Sequence, residues 1–312
     1  MDPLVLFFGL GVGFLVGLTG MGGGSLMTPL LILFTGTAPV TAIGTDIFYA
    51  AITKSVGGWR HWKLKTVNLP LVFWLALGSV PSAIAGVWVI EALQKTYGEE
   101  LDKFVLGILA GMLIVTGVAM IFRFLFLRDR LTERDGFVMH TRHKIAAVGI
   151  GALTGFLIGL SSAGSGTLIA VFLIAVFRLT PRKVVGTDVF HAAILLAAAA
   201  MAHIFGGNVD FALAGNILIG SIPGVVLGSQ LSVKWPQNAL RMALAVVLVI
   251  AGIALFSKSD TSVVPWALGA TTVGLAALFG AQILFRKEVE GDPDEKKALA
   301  KAKRTRKRAS AE

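Results

Sequence analysis

Hydrophobic runs follow one another along this chain with few polar interruptions. The first set covers about 3–34, 40–56, 67–91 and 103–126. A second set covers about 145–177, 183–205, 210–232 and 239–257, and a ninth run covers about 262–285. A membrane helix needs roughly 20 apolar residues. Most runs fit that length. The first run of each set does not: it is about thirty residues long and carries a knot of glycine and hydroxyl residues near its middle. An interior glycine costs about 1 kcal/mol relative to alanine in a helix, whereas a glycine cluster makes a good tight turn. Helices broken inside a bilayer survive only where protein or a water-filled cavity surrounds the freed backbone. The pattern therefore predicts two buried, non-helical turns within membrane segments.

The two sets are copies. Gly13-Phe14-Leu15-Val16-Gly17-Leu18 returns 142 residues on as Gly155-Phe156-Leu157-Ile158-Gly159-Leu160. At the same offset Gly44-Thr45-Asp46 meets Gly186-Thr187-Asp188, Pro39 meets Pro181, His61 meets His203, and Gly78-Ser79-Val80-Pro81 meets Gly220-Ser221-Ile222-Pro223. A gapless offset shared by polar and apolar positions marks an internal duplication.

Composition agrees with a polytopic membrane protein: 55% of the 312 residues are hydrophobic and 15% charged, with a mean hydropathy of +0.79. The chain has no cysteine, so disulfides and thiolate metal sites are excluded. The net charge of +10 would suit nucleic acid, but its location does not. Residues 3–53, 145–177 and 184–233 contain no Lys or Arg. The cations sit in connections and in the tail, as the positive-inside rule expects. Met1-Asp2-Pro3-Leu4 lacks the basic start of a signal peptide.

Loop charge then sets orientation. Lys54, Arg60, Lys63 and Lys65 place one connection in the cytoplasm. Arg128, Arg130, Arg134, Arg142 and Lys144 do the same for the central linker, and Arg178, Arg182 and Lys183 for the next turn. Glu91, Glu99, Glu100 and Asp102, and the bare turn Gly206-Gly207-Asn208, fall outside. These assignments close only if 145–177 leaves on the side from which it came. It is then a re-entrant hairpin turning at Ser161–Gly166, and its copy turns at Thr19–Gly24, each a pair of half-length helical arms. Single kinked spans are the competing reading, and they would strand the cations of 178–183 outside. The expected fold is an all-α integral membrane protein of two inverted repeats. Each repeat is a re-entrant hairpin plus three transmembrane helices. The divisions are 1–127 and 145–257 for the repeats, 128–144 for a cytoplasmic linker, 258–286 for an extra transmembrane helix and 287–312 for a basic cytoplasmic tail. Inverted repeats with broken helices at the midplane point to a secondary transporter.

The duplicated motifs Gly17-Leu18-Thr19-Gly20-Met21-Gly22-Gly23-Gly24-Ser25 and Gly159-Leu160-Ser161-Ser162-Ala163-Gly164-Ser165-Gly166-Thr167, with Pro29 and the paired Gly-Thr-Asp, resemble the TauE/SafE family of membrane permeases. Members are often described as sulfite or organosulfonate exporters. The resemblance covers about 4–257. It implies a bacterial inner-membrane protein that exports small sulfur-containing or carboxylate anions. The second motif departs from a full glycine triplet, with Ser165 in the middle place.

The turns are the expected substrate site. Helix starts at the midplane offer free backbone N–H groups and a partial positive charge to an anion. Thr19, Gly20, Gly22, Gly23, Gly24 and Ser25 would contribute from the first turn, and Ser161, Ser162, Gly164, Ser165, Gly166 and Thr167 from the second. Close helix packing by small residues is the competing use of the same glycines. With no buried Lys or Arg expected, amides and hydroxyls alone would hold the anion. Asp46 and Asp188 lie two turns into their helices, where a carboxylate costs about 3 kcal/mol to insert. They carry either proton coupling, with Tyr49 and His191 on the same faces, or structural bracing of the hairpins. Thr45 and Thr187 divide between backbone and substrate contacts. Pro81 and Pro223 should kink their helices. Trp59, Trp62, Trp235 and Trp266 suit an interfacial belt. His61 and His203 lack a third ligand at suitable spacing, so no metal and no cofactor are expected, and no nucleophile–base pair suggests an enzyme. The tail, basic from Lys296 to Arg308, suits anionic lipid. A homodimer is compatible with these features. An anion channel, or a non-transporting scaffold or assembly factor, are the alternative functions.

Overall fold

The computed structural model describes residues 3–19, 24–126, 139–162, 168–232 and 237–257. All of them lie in one unit that spans Met1–Thr271. The ninth hydrophobic run and the basic tail lie outside the described residues. Ten α-helices make up the described chain: α1 Pro3–Thr19, α2 Gly24–Leu30, α3 Pro39–Lys63, α4 Leu69–Tyr97, α5 Glu99–Phe126, α6 Thr141–Ser161, α7 Leu168–Ala175, α8 Pro181–Phe205, α9 Phe211–Ser232 and α10 Gln237–Phe256. A π-helical turn, Leu31–Thr35, extends α2. No β-strand occurs among the described residues. Among the described residues five helices are long and apolar enough to cross a membrane: Leu69–Tyr97, Leu101–Val118, Thr141–Ser161, Pro181–Phe205 and Phe211–Gly228.

Helix starts follow local chemistry. Proline opens α3 and α8 at Pro39 and Pro181, where its missing N–H is no loss and its φ is already helical. The Asn68 side chain accepts a hydrogen bond from Leu71 N at 3.3 Å, and the Asp210 carboxylate accepts one from Leu213 N at 2.9 Å. These are N-caps of α4 and α9. They occupy equivalent places in the two halves.

The chain doubles back within each overlong run. The rings of Phe8 on α1 and Phe34 in the π-turn lie 6.1 Å apart. A continuous helix would separate them by about 39 Å. His143 on α6 and Phe177, beyond α7, lie 6.4 Å apart, against about 51 Å for a continuous helix. The arms are unequal rather than half-length. The 21 residues of α6 extend about 31 Å, a full bilayer core, and the 8 residues of α7 extend about 12 Å. The reason is the start of α6 at Thr141, before the apolar stretch itself begins.

The hairpin arms pack on the opposite half of the chain. A Cβ built on Gly13 of α1 would overlap the carbonyl of Ser221 on α9, and one on Gly155 of α6 would overlap the carbonyl of Ser79 on α4. These two contacts are the same contact at the 142-residue offset. Only a residue without a side chain lets the backbones come this close, the small-residue packing usual between membrane helices. Contacts advance together along both partners, since Gly9 meets Ile217 as Gly13 meets Ser221, and Gly151 meets Leu75 as Gly155 meets Ser79. Each pair therefore runs parallel. Helices α5 and α10 run antiparallel, with Gly117 against Ala245 and Gly252 against Ala110.

Polar contacts sort the loops into two ends. At one end the Lys183 ammonium donates to Lys65 O at 2.9 Å, and Lys144 lies over the Trp74 ring at 5.2 Å. At the other end Asn208 Nδ2 donates to Glu91 Oε1 at 3.1 Å, and Phe48 meets Phe211 edge-on at 5.3 Å. Because α1 runs parallel to α9 and α6 parallel to α4, α1 begins at the Glu91 end and α6 at the Lys65 end. Both α4 and α9 stay helical through Pro81 and Pro223. The exterior carries Phe73, Trp88, Ile222 and Ile250 exposed, while Asp46, Lys54 and Asp188 are buried. That inverted distribution fits a lipid solvent rather than water.

Candidate functional site

Helices α3 and α8 cross at the centre, with Gly57 against Val189 and Gly58 against Phe190. The two Gly-Thr-Asp motifs lie towards opposite ends of this helix pair, Gly44 against Asn208 and Gly186 against Thr66. Thr45 Oγ1 accepts a hydrogen bond from Asp210 N at 3.0 Å, and Thr187 Oγ1 accepts one from Asn68 N at 3.0 Å. Each threonine thus ties its own helix to the start of a helix in the other half. One turn on, His191 Nε2 lies 2.8 Å from Ser79 Oγ, and Tyr49 approaches Ser221 at the equivalent place.

The two aspartates differ. Asp46 is fully buried. Its Oδ2 accepts from Thr28 Oγ1 at 2.6 Å and from Ser162 Oγ at 2.6 Å. That length is typical of a hydroxyl donating to a carboxylate, a bond roughly twice as strong as a neutral one. Thr28 lies on the return arm of the first hairpin and Ser162 ends the long arm of the second. A single carboxylate therefore clasps both hairpins. Ser162 holds a left-handed backbone, φ 58°, which costs about 1–2 kcal/mol in a residue with a Cβ; its N–H still closes onto Ile158 O at 2.7 Å. Ser161 Oγ turns away, to Leu157 O at 2.7 Å and to Met112 Sδ at 2.9 Å on α5.

Asp188 is 6% exposed; its Oδ1, like Asp46 Oδ1, has no hydrogen-bond partner among the described residues. The position equivalent to Thr28 is Ala170, and that equivalent to Ser162 is Gly20. So the hydroxyls that clasp Asp46 have no counterparts at Asp188. Lys54 is the neighbour that matters instead. It is 5% exposed and within electrostatic reach of Asp188 and Asp46.

Lys54 corrects the expectation that no cation is buried. The sequence reading assigned it to a cytoplasmic connection with Arg60, Lys63 and Lys65. Helix α3 runs on to Lys63, so Lys54 lies about 14 Å before the helix end. Trp59 and Trp62 were the signal that could have found it: they mark an interfacial belt, and Lys54 lies deeper. Thr28 had no local signal at all, since only the hairpin brings it to Asp46.

Of the turn residues, Gly20, Gly22, Gly23, Gly164, Ser165, Gly166 and Thr167 lie outside the described residues. Thr19 is the last residue of α1, and Gly24 and Ser25 are the first two of α2. Among the described residues no three His, Cys, Asp or Glu side chains group as a metal site would require.

The family described as "Sulfite exporter TauE/SafE" matches residues 5–255. A protein named "Probable membrane transporter protein YjnA" from Bacillus subtilis is 40% identical over 258 residues, covering 82% of this chain and 100% of that protein. "Probable membrane transporter protein YdhB" from the same organism is 26% identical over 258 residues, covering 81% and 98%. A "Probable membrane transporter protein" from Xylella fastidiosa is 28% identical over 267 residues, covering 82% and 95%. No solved structure matches the chain. Family match, relatives and apolar helices agree: this chain is a multi-pass membrane protein that belongs to the sulfite exporter TauE/SafE family.

Proposed function

We propose that the chain is a secondary carrier that exports a small oxyanion of the sulfite and sulfonate class across the cytoplasmic membrane. The observation that supports this most is the pair of hairpins that begin at opposite ends of the helix bundle and are clasped on Asp46. A two-fold relation that exchanges the halves and reverses their direction is the architecture of alternating access, in which one half rocks against the other around a fixed midplane site. The basic end, with Lys65, Lys144 and Lys183, is the cytoplasmic face by the positive-inside rule, and the tail follows it there. The hairpin turns supply the amide and hydroxyl donors. The outward direction rests on the family description.

The test is transport by purified protein in proteoliposomes loaded with sulfite. Efflux should saturate with sulfite concentration and be accelerated by sulfite on the far side. Gly23→Leu or Ser165→Leu should abolish it while the protein still elutes as a single species. Flux that never saturates would favour a channel. Absence of flux for sulfite, a small sulfonate and a small carboxylate would remove the transport reading.

A further inference from the structure

The duplication is broken at one buried charge. Asp46 and Asp188 are equivalent, and Tyr49 and His191 are equivalent, but the position equivalent to Lys54 is Leu196, which is fully buried. One cation therefore serves two carboxylates. It stands three residues past Ala51, the midpoint of α3, close to the place where α3 and α8 cross. Its charge reaches Asp188, Asp46 and His191. Asp46 already has two short hydroxyl bonds that hold the hairpins. Among the described residues no hydroxyl is recorded on Asp188, and each aspartate keeps one buried oxygen, Oδ1, without a hydrogen-bond partner there.

A lysine in the membrane interior is held by a counter-charge or by backbone carbonyls, and intramembrane ionisable groups mark ion paths and couplings. A paired carboxylate is one counter-charge; an oxyanion arriving from the hairpin turns is another. We propose that Lys54 is the cationic binding point for the transported oxyanion and that Asp188 is its resting counter-ion, displaced when the anion binds and restored when it leaves. This rests on the transport reading above. It makes the two aspartates unequal: Asp46 is a fixed clasp, and Asp188 is the competitor that lets the anion go. The exchange keeps the ammonium paired at every stage, so the cation is never stranded in lipid. It also explains why the second repeat carries leucine at the equivalent place. A second lysine there would hold both carboxylates and the anion at once and oppose release.

The experiment measures sulfite flux in proteoliposomes for wild type, Lys54→Gln, Lys54→Arg, Asp188→Asn and the double variant Lys54→Gln/Asp188→Asn. Loss of a charged hydrogen bond should raise the KM of Lys54→Gln by about tenfold or more, with Lys54→Arg retaining part of the affinity. Asp188→Asn removes the competitor, so its KM should fall and its kcat should fall with it. A merely structural aspartate would not give that split. Should Lys54→Gln fail to fold because Asp188 is stranded, the double variant removes that carboxylate and leaves Asp46 on its two hydroxyl donors, and it decides the matter: it should elute as a single species and still lack sulfite affinity. A double variant with wild-type KM would show that Lys54 only neutralises Asp188 and overturn the proposal. So would a raised or unchanged KM in Asp188→Asn. Wild-type protein without flux would remove the transport reading, and this proposal with it.

Discussion

Asp46→Ala should loosen both hairpins at once, with a loss of about 3–5 kcal/mol of stability, the scale seen when one partner of a buried charged cluster is removed. Two buried hydroxyls, Thr28 Oγ1 and Ser162 Oγ, lose their acceptor, and Lys54 loses one of its two carboxylates. Thermal unfolding of detergent-solubilised protein, followed by size-exclusion chromatography, reads the effect. Ser162→Gly isolates one arm of the clasp. Glycine accepts the left-handed backbone at φ 58°, so only the hydroxyl is lost, at about 2 kcal/mol for a bond to a charged group. Equal melting of Asp46→Ala and wild type would remove the clasp from the account.

The second large effect falls on the helix seams. Gly155→Leu forces a side chain into the Ser79 carbonyl and the Ser82 hydroxyl. Neither helix can yield locally, because α4 and α6 touch along several turns through Gly78, Gly151, Gly155 and Gly159. Overpacking of this kind costs about 1–3 kcal/mol, and the expected readout is a broad, early thermal transition. Gly149→Leu on the same helix is the control. It is exposed, and a Cβ there meets nothing. Its melting should match wild type. Leucine is the better helix former, so equal loss in both variants would contradict the seam as the cause.

Much of this was legible in the residues because the duplication carries polar positions as well as apolar ones. Thr45 and Thr187 cap the starts of α9 and α4 in equivalent ways, and a gapless offset transmits such a contact from one half to the other. The two loop ends were legible because charge is excluded from lipid and collects at the faces. What the chain did not disclose depends on where helices stop. Lys54 looked like a loop cation because basic residues follow it at Arg60, Lys63 and Lys65, and only the length of α3 shows it to be interior. The hairpin arms looked half-length because α6 starts in a polar stretch, at Thr141. Thr28 and Ser162 meet on Asp46 across 18 and 116 residues of chain, a contact set by tertiary packing with no local pattern behind it.

The central claim is that each hairpin returns to the side it came from, and that the two sides are opposite. The sequence contains no cysteine, so single cysteines report without background. Ala38, between the first hairpin and α3, and Arg182, in the first turn of α8, are both exposed. In intact cells a membrane-impermeant maleimide should label Ala38→Cys, and it should reach Arg182→Cys only after permeabilisation. Labelling of Arg182→Cys from outside with Ala38→Cys protected, or of both from one side, would contradict the account.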